Sequence, residues 1–121
     1  MYTISRFTLT LLHSATITHL YHFKTGSRSD HLALEKYYSA IPDLVDSLIE
    51  SYQGKYGKIK DYIEPFYSFN NSLTPLDYMI ELNDFVFSSR KELPQDSELQ
   101  NDIDSIASLI DGIVYQLRDL K

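Results

Sequence analysis

The sequence contains no cysteine and no tryptophan, and only four glycines and four prolines interrupt its 121 residues. Without cysteine the chain forms neither disulfides nor zinc sites with thiolate ligands, and it suits a reducing compartment. No apolar run approaches the roughly 20 residues that cross a bilayer. The N-terminal segment lacks the small-residue cleavage site of a signal peptide. These absences predict a cytoplasmic protein without a membrane partner.

Basic residues are also scarce. The chain has 11 Lys and Arg against 17 Asp and Glu, which gives a net charge of -6. A surface that binds nucleic acid needs clustered Lys and Arg. We therefore expect no nucleic-acid partner. Tyrosine, by contrast, is frequent with 10 residues, and its ring and hydroxyl suit a core as well as an interface.

Length and apolar spacing predict one all-α domain over residues 1–121, because a chain of this size buries a single core without disulfides. Four segments show helical periodicity, at about residues 3–23, 30–52, 74–90 and 97–120. Short links join the helices of each pair, and a crossing of about twenty residues separates the pairs. This order predicts a ferritin-like four-helix bundle with one long crossover between the second and third helices.

The same spacing predicts the core. In the first helix the expected inward residues are Ile4, Phe7, Leu11, Ala15, Thr18 and His22, widened by Leu9, Leu12, Leu20 and Phe23. In the second helix, kinked but unbroken at Pro42, they are Leu34, Tyr38, Ile41, Val45, Leu48 and Tyr52. In the third they are Leu76, Met79, Ile80, Asn83, Val86 and Phe87. In the fourth they are Leu99, Ile103, Ile106, Ile110, Ile113, Leu117 and Leu120.

Local signals mark the helix starts and the crossing. The predicted N-caps, which are short polar residues, are Ser29 or Asp30, Thr74 and Ser97. The crossing is expected to contain a short helix before Pro65. Its predicted aromatic anchors on the bundle are Tyr62, Phe66, Tyr67 and Phe69.

Side chains that bind metals concentrate in the first half of the chain, and no histidine follows His31. Asp46 and Glu50 lie 15 and 19 residues after His31 on the same predicted helix. A helix rises about 1.5 Å per residue, so about 22 to 28 Å separate these acids from His31. They also lie about 120° or more from the core seam of their helix. One chain therefore cannot bring them to the same ion as His31.

An antiparallel two-fold pairing of the second helix with another copy removes this separation. It brings His22 and His31 of one chain to Asp46 and Glu50 of the other, and it creates two equal sites. Imidazole and carboxylate ligands without sulfur suit iron or another divalent first-row metal. We therefore predict self-association through the second helix, as a homodimer or a larger homo-oligomer.

The order histidine, loop, histidine, then aspartate and glutamate on one helix resembles the ferroxidase centre of Dps-like mini-ferritins. The stretch from His22 to Gly26 resembles the family's His-Trp-x-x-x-Gly region, with phenylalanine as the aromatic residue. Asp46 and Glu50 match the family's Asp-x-x-x-Glu core, and their spacing after His31 is that of the family. The detailed resemblance covers roughly residues 19–56.

The chain departs from the family in four respects. The interval between His22 and His31 is shorter than usual, although His19 has the usual spacing, and Pro42 is atypical. The chain is also short and lacks a lysine-rich N-terminal tail. The shortened loop is similar to that of small Dps-like proteins encoded by bacteriophages, which would place the protein in the cytoplasm of a bacterial host.

The resemblance implies an iron-binding protein that oxidises or sequesters Fe(II) between subunits, with His22, His31, Asp46 and Glu50 as ligands. A second hypothesis stays open beside it. Carboxylates on an outer helix face are ordinarily solvated charges. The chain is then a non-catalytic structural or interaction protein, of phage origin in one version, that keeps the bundle without the chemistry.

Overall fold

The computed structural model describes residues 3–62 and 69–121. These residues contain no strand and four α-helices: α1 (Ile4–Lys24), α2 (Arg28–Tyr56), α3 (Pro75–Ser89) and α4 (Ser97–Asp119). A short 3-10 turn, Arg90–Glu92, follows α3. The predicted all-α bundle of four helices is confirmed. None of the described helices combines the length and the apolarity that a membrane crossing requires.

Contacts near the helix ends define the direction of each helix. The hydroxyl of Tyr21, near the end of α1, donates to the carbonyl of Leu73, just before α3, at 2.8 Å. Lys121, after α4, forms an ion pair with Asp30 at the start of α2, at 3.1 Å. Helices α2 and α3 therefore start at the same end of the bundle and run parallel. The predicted long crossover therefore lies between Tyr56 and Pro75, and the structure describes its residues 57–62 and 69–74.

Helix α1 buries Phe7, Leu11, Thr18 and His22 as predicted, but the predicted widening of its core face is wrong. The exposed fractions of Leu12, Leu20 and Phe23 are 42%, 40% and 71%, and Leu9 is half-buried. The core face extends the other way, through Ser14, Ile17 and Tyr21. This flank turns towards α3, whereas the exposed residues lie on the outer surface of α1.

Helix α2 continues without a break through Pro42, as predicted, but its ends differ from the prediction. The hydroxyl of Ser27 accepts a hydrogen bond from the backbone N–H of Asp30 at 3.2 Å. Ser27, rather than Ser29 or Asp30, is therefore the N-cap. Gly57 ends the helix with φ 90°, a left-handed conformation that suits glycine, and this end lies later than expected.

Tyr37 takes the core position that the sequence analysis assigned to Tyr38. Tyr37 is fully buried, while Tyr38 is half-buried where α1 meets α2. The hydroxyls of Tyr37 and Ser14 lie 2.7 Å apart, and Ser14 donates its own proton to the carbonyl of Leu11. Tyr37 is therefore the donor to Ser14. Burial raises the pKa of Tyr37, so its hydroxyl keeps the proton that it donates.

Helix α3 begins as predicted, because the hydroxyl of Thr74 accepts from a backbone N–H of the first turn. Ile80 and Phe87 do not face the core, and their exposed fractions are 41% and 62%. Leu82 and Ser89 are buried instead. In helical projection Ile80 and Phe87 lie about 100° or more from the mean direction of the buried residues, on the outer surface.

Helix α4 is the most regular part of the fold. Its N-cap is Asp96 rather than Ser97, and the side chain of Asp96 makes no capping hydrogen bond. Leu120 lies beyond the helix and is exposed. The other six predicted core residues are all buried: Leu99, Ile103, Ile106, Ile110, Ile113 and Leu117.

The crossover confirms one predicted anchor and not another. The ring of Phe69 packs on that of Tyr21, with centroids 4.8 Å apart. Tyr62 is exposed, and residues 57–62 form no helix. Phe66, Tyr67 and the short helix expected before Pro65 fall on residues 63–68, outside the described residues.

The buried hydroxyl pair generates a prediction about stability. Ser14→Ala leaves the Tyr37 hydroxyl buried without an acceptor, which costs about 1–3 kcal/mol. Tyr37→Phe removes the donor but leaves Ser14 bonded to a carbonyl, so we expect a smaller loss of about 1 kcal/mol. Urea unfolding followed by helical circular dichroism measures both. Equal losses, or a larger loss for Tyr37→Phe, contradict the assigned direction of the bond.

Candidate metal centre

Residues 25–27 form the short connection between α1 and α2. The backbone N–H of Ser27 donates to the hydroxyl of Thr25 at 3.1 Å, and Ser27 in turn caps α2. Thr25 also closes α1, because its backbone N–H donates to a carbonyl in the last helical turn. These local bonds set the last turn of α1 beside the first turn of α2. His22 and His31, one from each turn, therefore lie side by side.

The rings of His22 and His31 stack, with centroids 3.6 Å apart and an interplanar angle of 21°. Each ring also binds the backbone of the other residue. Nδ1 of His22 lies 2.9 Å from the carbonyl oxygen of His31, and Nδ1 of His31 lies 3.1 Å from the carbonyl oxygen of His22. The two residues thus form a reciprocal pair that joins α1 to α2.

The two carbonyl acceptors determine which ring nitrogen carries the proton. A carbonyl oxygen only accepts, so Nδ1 of each histidine must be the N–H donor. In a neutral imidazole the other nitrogen, Nε2, then holds a lone pair. Neither Nε2 atom takes part in the reciprocal bonds between His22 and His31. Histidines that bind metals commonly donate their second ring N–H to a carbonyl in this way.

Other rings surround the pair. Tyr38 lies edge-on to His22 at 5.3 Å, and His19 stacks on Tyr38 at 4.0 Å with an interplanar angle of 14°. Phe23 stacks on His19 at 4.8 Å. Burial raises the pKa of Tyr38, and the nearby charge of Glu35 raises it further. His22 is buried beneath this group, whereas His31 is half-buried.

Asp46 and Glu50 do not join the histidines within one chain. Both are exposed on α2, and the helical rise puts them about 22 to 28 Å from His31. Within residues 3–62 and 69–121, no group of three or more His, Asp or Glu side chains is arranged to hold a metal ion. The structure therefore brings two of the four predicted ligands together and leaves the two acids apart.

Tyr38 was expected in the core seam and His19 at most as a ligand with the usual family spacing, whereas both rings pack beside the His22–His31 pair. Their signal was present in the spacing. His19 precedes His22 by three residues, a distance at which helical side chains are neighbours. Tyr38 follows His31 by two helical turns and lies above it on α2. The bonds from the two rings to backbone carbonyls could not be predicted in this way, because every residue carries a carbonyl.

Comparison with known families adds one assignment. Residues 22–117 match a family described as a family of unknown function, DUF5856. The chain belongs to the DUF5856 family. The DUF5856 match includes all four predicted ligands, His22, His31, Asp46 and Glu50. No curated protein and no solved structure matches the chain. The resemblance to Dps-like mini-ferritins therefore stays a prediction.

The reciprocal bonds predict an observable tautomer in this DUF5856 protein. At a pH where the imidazoles are neutral, His22 and His31 should both carry the proton on Nδ1. Nitrogen chemical shifts from long-range proton–nitrogen NMR spectra distinguish Nδ1–H from Nε2–H directly. His22→Asn and His31→Asn variants assign the signals. Protons on Nε2 of both rings in the metal-free protein would contradict the geometry.

Proposed function

We propose that this protein binds a divalent first-row metal, iron in the Dps-like version, between two copies of the chain. His22 and His31 of one copy supply nitrogen ligands, and Asp46 and Glu50 of the other supply oxygen ligands. The observation that carries the proposal is the pair of Nδ1–H to carbonyl bonds. They orient both rings and keep both Nε2 lone pairs for a metal.

The outer surface of α1 and α2 supports the pairing of two copies. In helical projection Leu12 and Phe23 lie on the outer surface of α1 towards α2, and both are exposed, whereas the exposed Leu20 lies towards α3. Asp46 and Glu50 lie on the outer surface of α2. Leu12, Phe23 and the acids thus share the outer surface of these two helices, the α1–α2 face. An apolar surface with polar edges is typical of a protein interface.

Charge distribution also favours this face. Residues 1–62 contain seven Lys or Arg and six Asp or Glu. Residues 69–121 contain only four Lys or Arg and ten Asp or Glu. Two copies that meet through α1 and α2 therefore avoid the repulsion between their acidic halves. Along α2 the bases Arg28 and Lys36 lie towards the start, together with the acids Asp30 and Glu35, and the acids Asp46 and Glu50 lie later. An antiparallel pairing sets these opposite charges against each other.

The two-fold axis follows from the ligand positions. A symmetric pairing that brings His31 to Asp46 and Glu50 must cross α2 midway between them, close to Ser39. Ser39 is exposed, and its small side chain permits close approach of two helices. The second helix is therefore the centre of the proposed interface.

Iron is the substrate or cargo of the proposed site, not a permanent cofactor. Mixed imidazole and carboxylate ligands suit Fe(II), and four protein ligands leave coordination positions open. In the oxidising version, two Fe(II) ions give two electrons to one hydrogen peroxide, which leaves as two hydroxide ions. The resemblance of His22, His31, Asp46 and Glu50 to the Dps-like motif supports iron over other divalent metals.

Mixing two ligand variants tests the proposed division of the site between chains. One variant carries His22→Asn and His31→Asn, in which the Asn amide replaces the Nδ1 donor but offers no Nε2. The other carries Asp46→Asn and Glu50→Gln. Each alone should bind no Fe(II) in anaerobic calorimetry. After subunit exchange, each mixed dimer regains one intact site, so binding should recover to about a quarter of the wild-type stoichiometry.

Asp43→Asn is the matched control, because it removes an exposed acid from the same helix without touching the proposed ligands. It should keep the wild-type stoichiometry and the ferric absorbance that follows addition of peroxide. Absence of recovery in the exchanged mixture would refute a site shared between chains. Loss of Fe(II) binding in Asp43→Asn would mean that general electrostatic attraction, rather than ligation by Asp46 and Glu50, explains the loss in the ligand variants.

A variant at the proposed axis separates self-association from ligation. Ser39→Arg places two like charges and two bulky side chains on the axis, so we expect monomers and loss of metal binding. Ser47→Arg adds the same side chain at an exposed position on the opposite flank of α2 and should remain a dimer. Light scattering coupled to size-exclusion chromatography measures the mass. A dimer of Ser39→Arg with unchanged mass would exclude this axis.

The alternative function, a non-catalytic interaction protein, shares the α1–α2 face but not the metal. The exposed Leu12 and Phe23 favour it, because an apolar surface serves association whether or not a metal is held. The two proposals differ in one measurement. A stable wild-type dimer that takes up no Fe(II) supports the interaction protein, and saturable Fe(II) uptake supports the metal site.

A further inference from the structure

A cleft of about 300 Å³ opens between α1 and α3, which touch each other only weakly. Its volume is at the small end of the range of about 300–1,000 Å³ for ligand sites. Most of its surface is apolar, with a few polar groups. The lining residues that matter here are Ile17, Tyr21, Tyr78, Glu81, Leu82 and Phe85.

Aromatic rings form much of the cleft wall. The centroids of Tyr21 and Tyr78 lie 5.9 Å apart with an interplanar angle of 51°. Phe85 stacks on Phe7 of the core at 5.8 Å, which holds its ring in place. The faces of such rings carry partial negative charge and attract cations, with quaternary ammonium groups as the best-known ligands.

A carboxylate stands at the same cleft. Glu81 is exposed and takes part in none of the ion pairs found within residues 3–62 and 69–121. Burial raises the pKa of Tyr21, and the charges of Glu81 and Asp77 raise it further, so the potential there is negative. The Tyr21 hydroxyl donates a hydrogen bond to the carbonyl of Leu73, so the hydroxyl oxygen of Tyr21 can still accept one.

We propose that the cleft between α1 and α3 binds a small organic ammonium ion, with Glu81 opposite its charge and Tyr21, Tyr78 and Phe85 around its carbon atoms. The apolar wall alone would accept a neutral ligand equally well. Glu81 and Asp77 favour a positive charge and repel an anion. This site lies between α1 and α3, away from the α1–α2 face, and does not depend on the proposed metal centre.

Choline and its neutral isostere 3,3-dimethyl-1-butanol test the charge requirement, because carbon replaces nitrogen with little change in shape. Isothermal calorimetry on the full chain should show saturable choline binding and at least about ten-fold weaker binding of the alcohol. Glu81→Gln should weaken choline binding by a similar factor. Asp84→Asn makes the same charge change on the outer surface of α3 and should leave the affinity unchanged.

Helical circular dichroism confirms that each variant is folded before it is compared. Ile17→Phe fills the cleft and should abolish choline binding while the mass of the assembly stays unchanged. Three results would overturn the proposal: no saturable choline binding by the wild type, equal affinity for choline and the alcohol, or equal losses in Glu81→Gln and Asp84→Asn.

Discussion

The unbroken length of α2 is the constraint on which both the topology and the candidate metal centre depend. Its 29 residues span about 43 Å, the full length of the bundle. The chain must therefore return along residues 57–74 before α3 can start beside the start of α2. The same length keeps Asp46 and Glu50 far from His31. Pro42 removes one backbone hydrogen bond, but packing against α1 and α4 holds the helix together on both sides of it.

The reciprocal bonds between His22 and His31 serve the fold and the proposed chemistry through the same atoms. As a structural contact, they fasten the end of α1 to the start of α2 and satisfy two polar ring atoms near the core. As preparation for a metal, they determine the tautomer and the orientation of both rings. A histidine pair kept only for packing needs the Nδ1 bonds but not the Nε2 lone pairs. Metal binding is therefore the measurement that separates the two roles.

The sequence predicts the parts of the fold that depend on periodicity alone. Six of the seven predicted α4 residues are buried, because apolar side chains occupy one stripe and few lie elsewhere. In α1 apolar residues lie on both flanks, and only the position of α3 decides that Ile17 turns inward and Leu20 outward. Adjacent tyrosines at Tyr37 and Tyr38 offer two registers of nearly equal apolarity. The partner hydroxyl of Ser14, distant in sequence, decides between them.

The two proposed sites would attract cations by different means. Residues 1–62, which contain α1 and α2, are nearly neutral in Lys, Arg, Asp and Glu and offer imidazole lone pairs, so the proposed metal site would select its ion by ligation rather than by net charge. The proposed ammonium site, with Glu81 beside aromatic rings, would select a diffuse organic cation by the negative potential and by the ring faces. A hard metal ion is poorly held by aromatic faces, and an ammonium ion offers no empty orbital to Nε2. The two proposed sites are therefore chemically orthogonal, and occupancy of one leaves the ligands of the other unchanged.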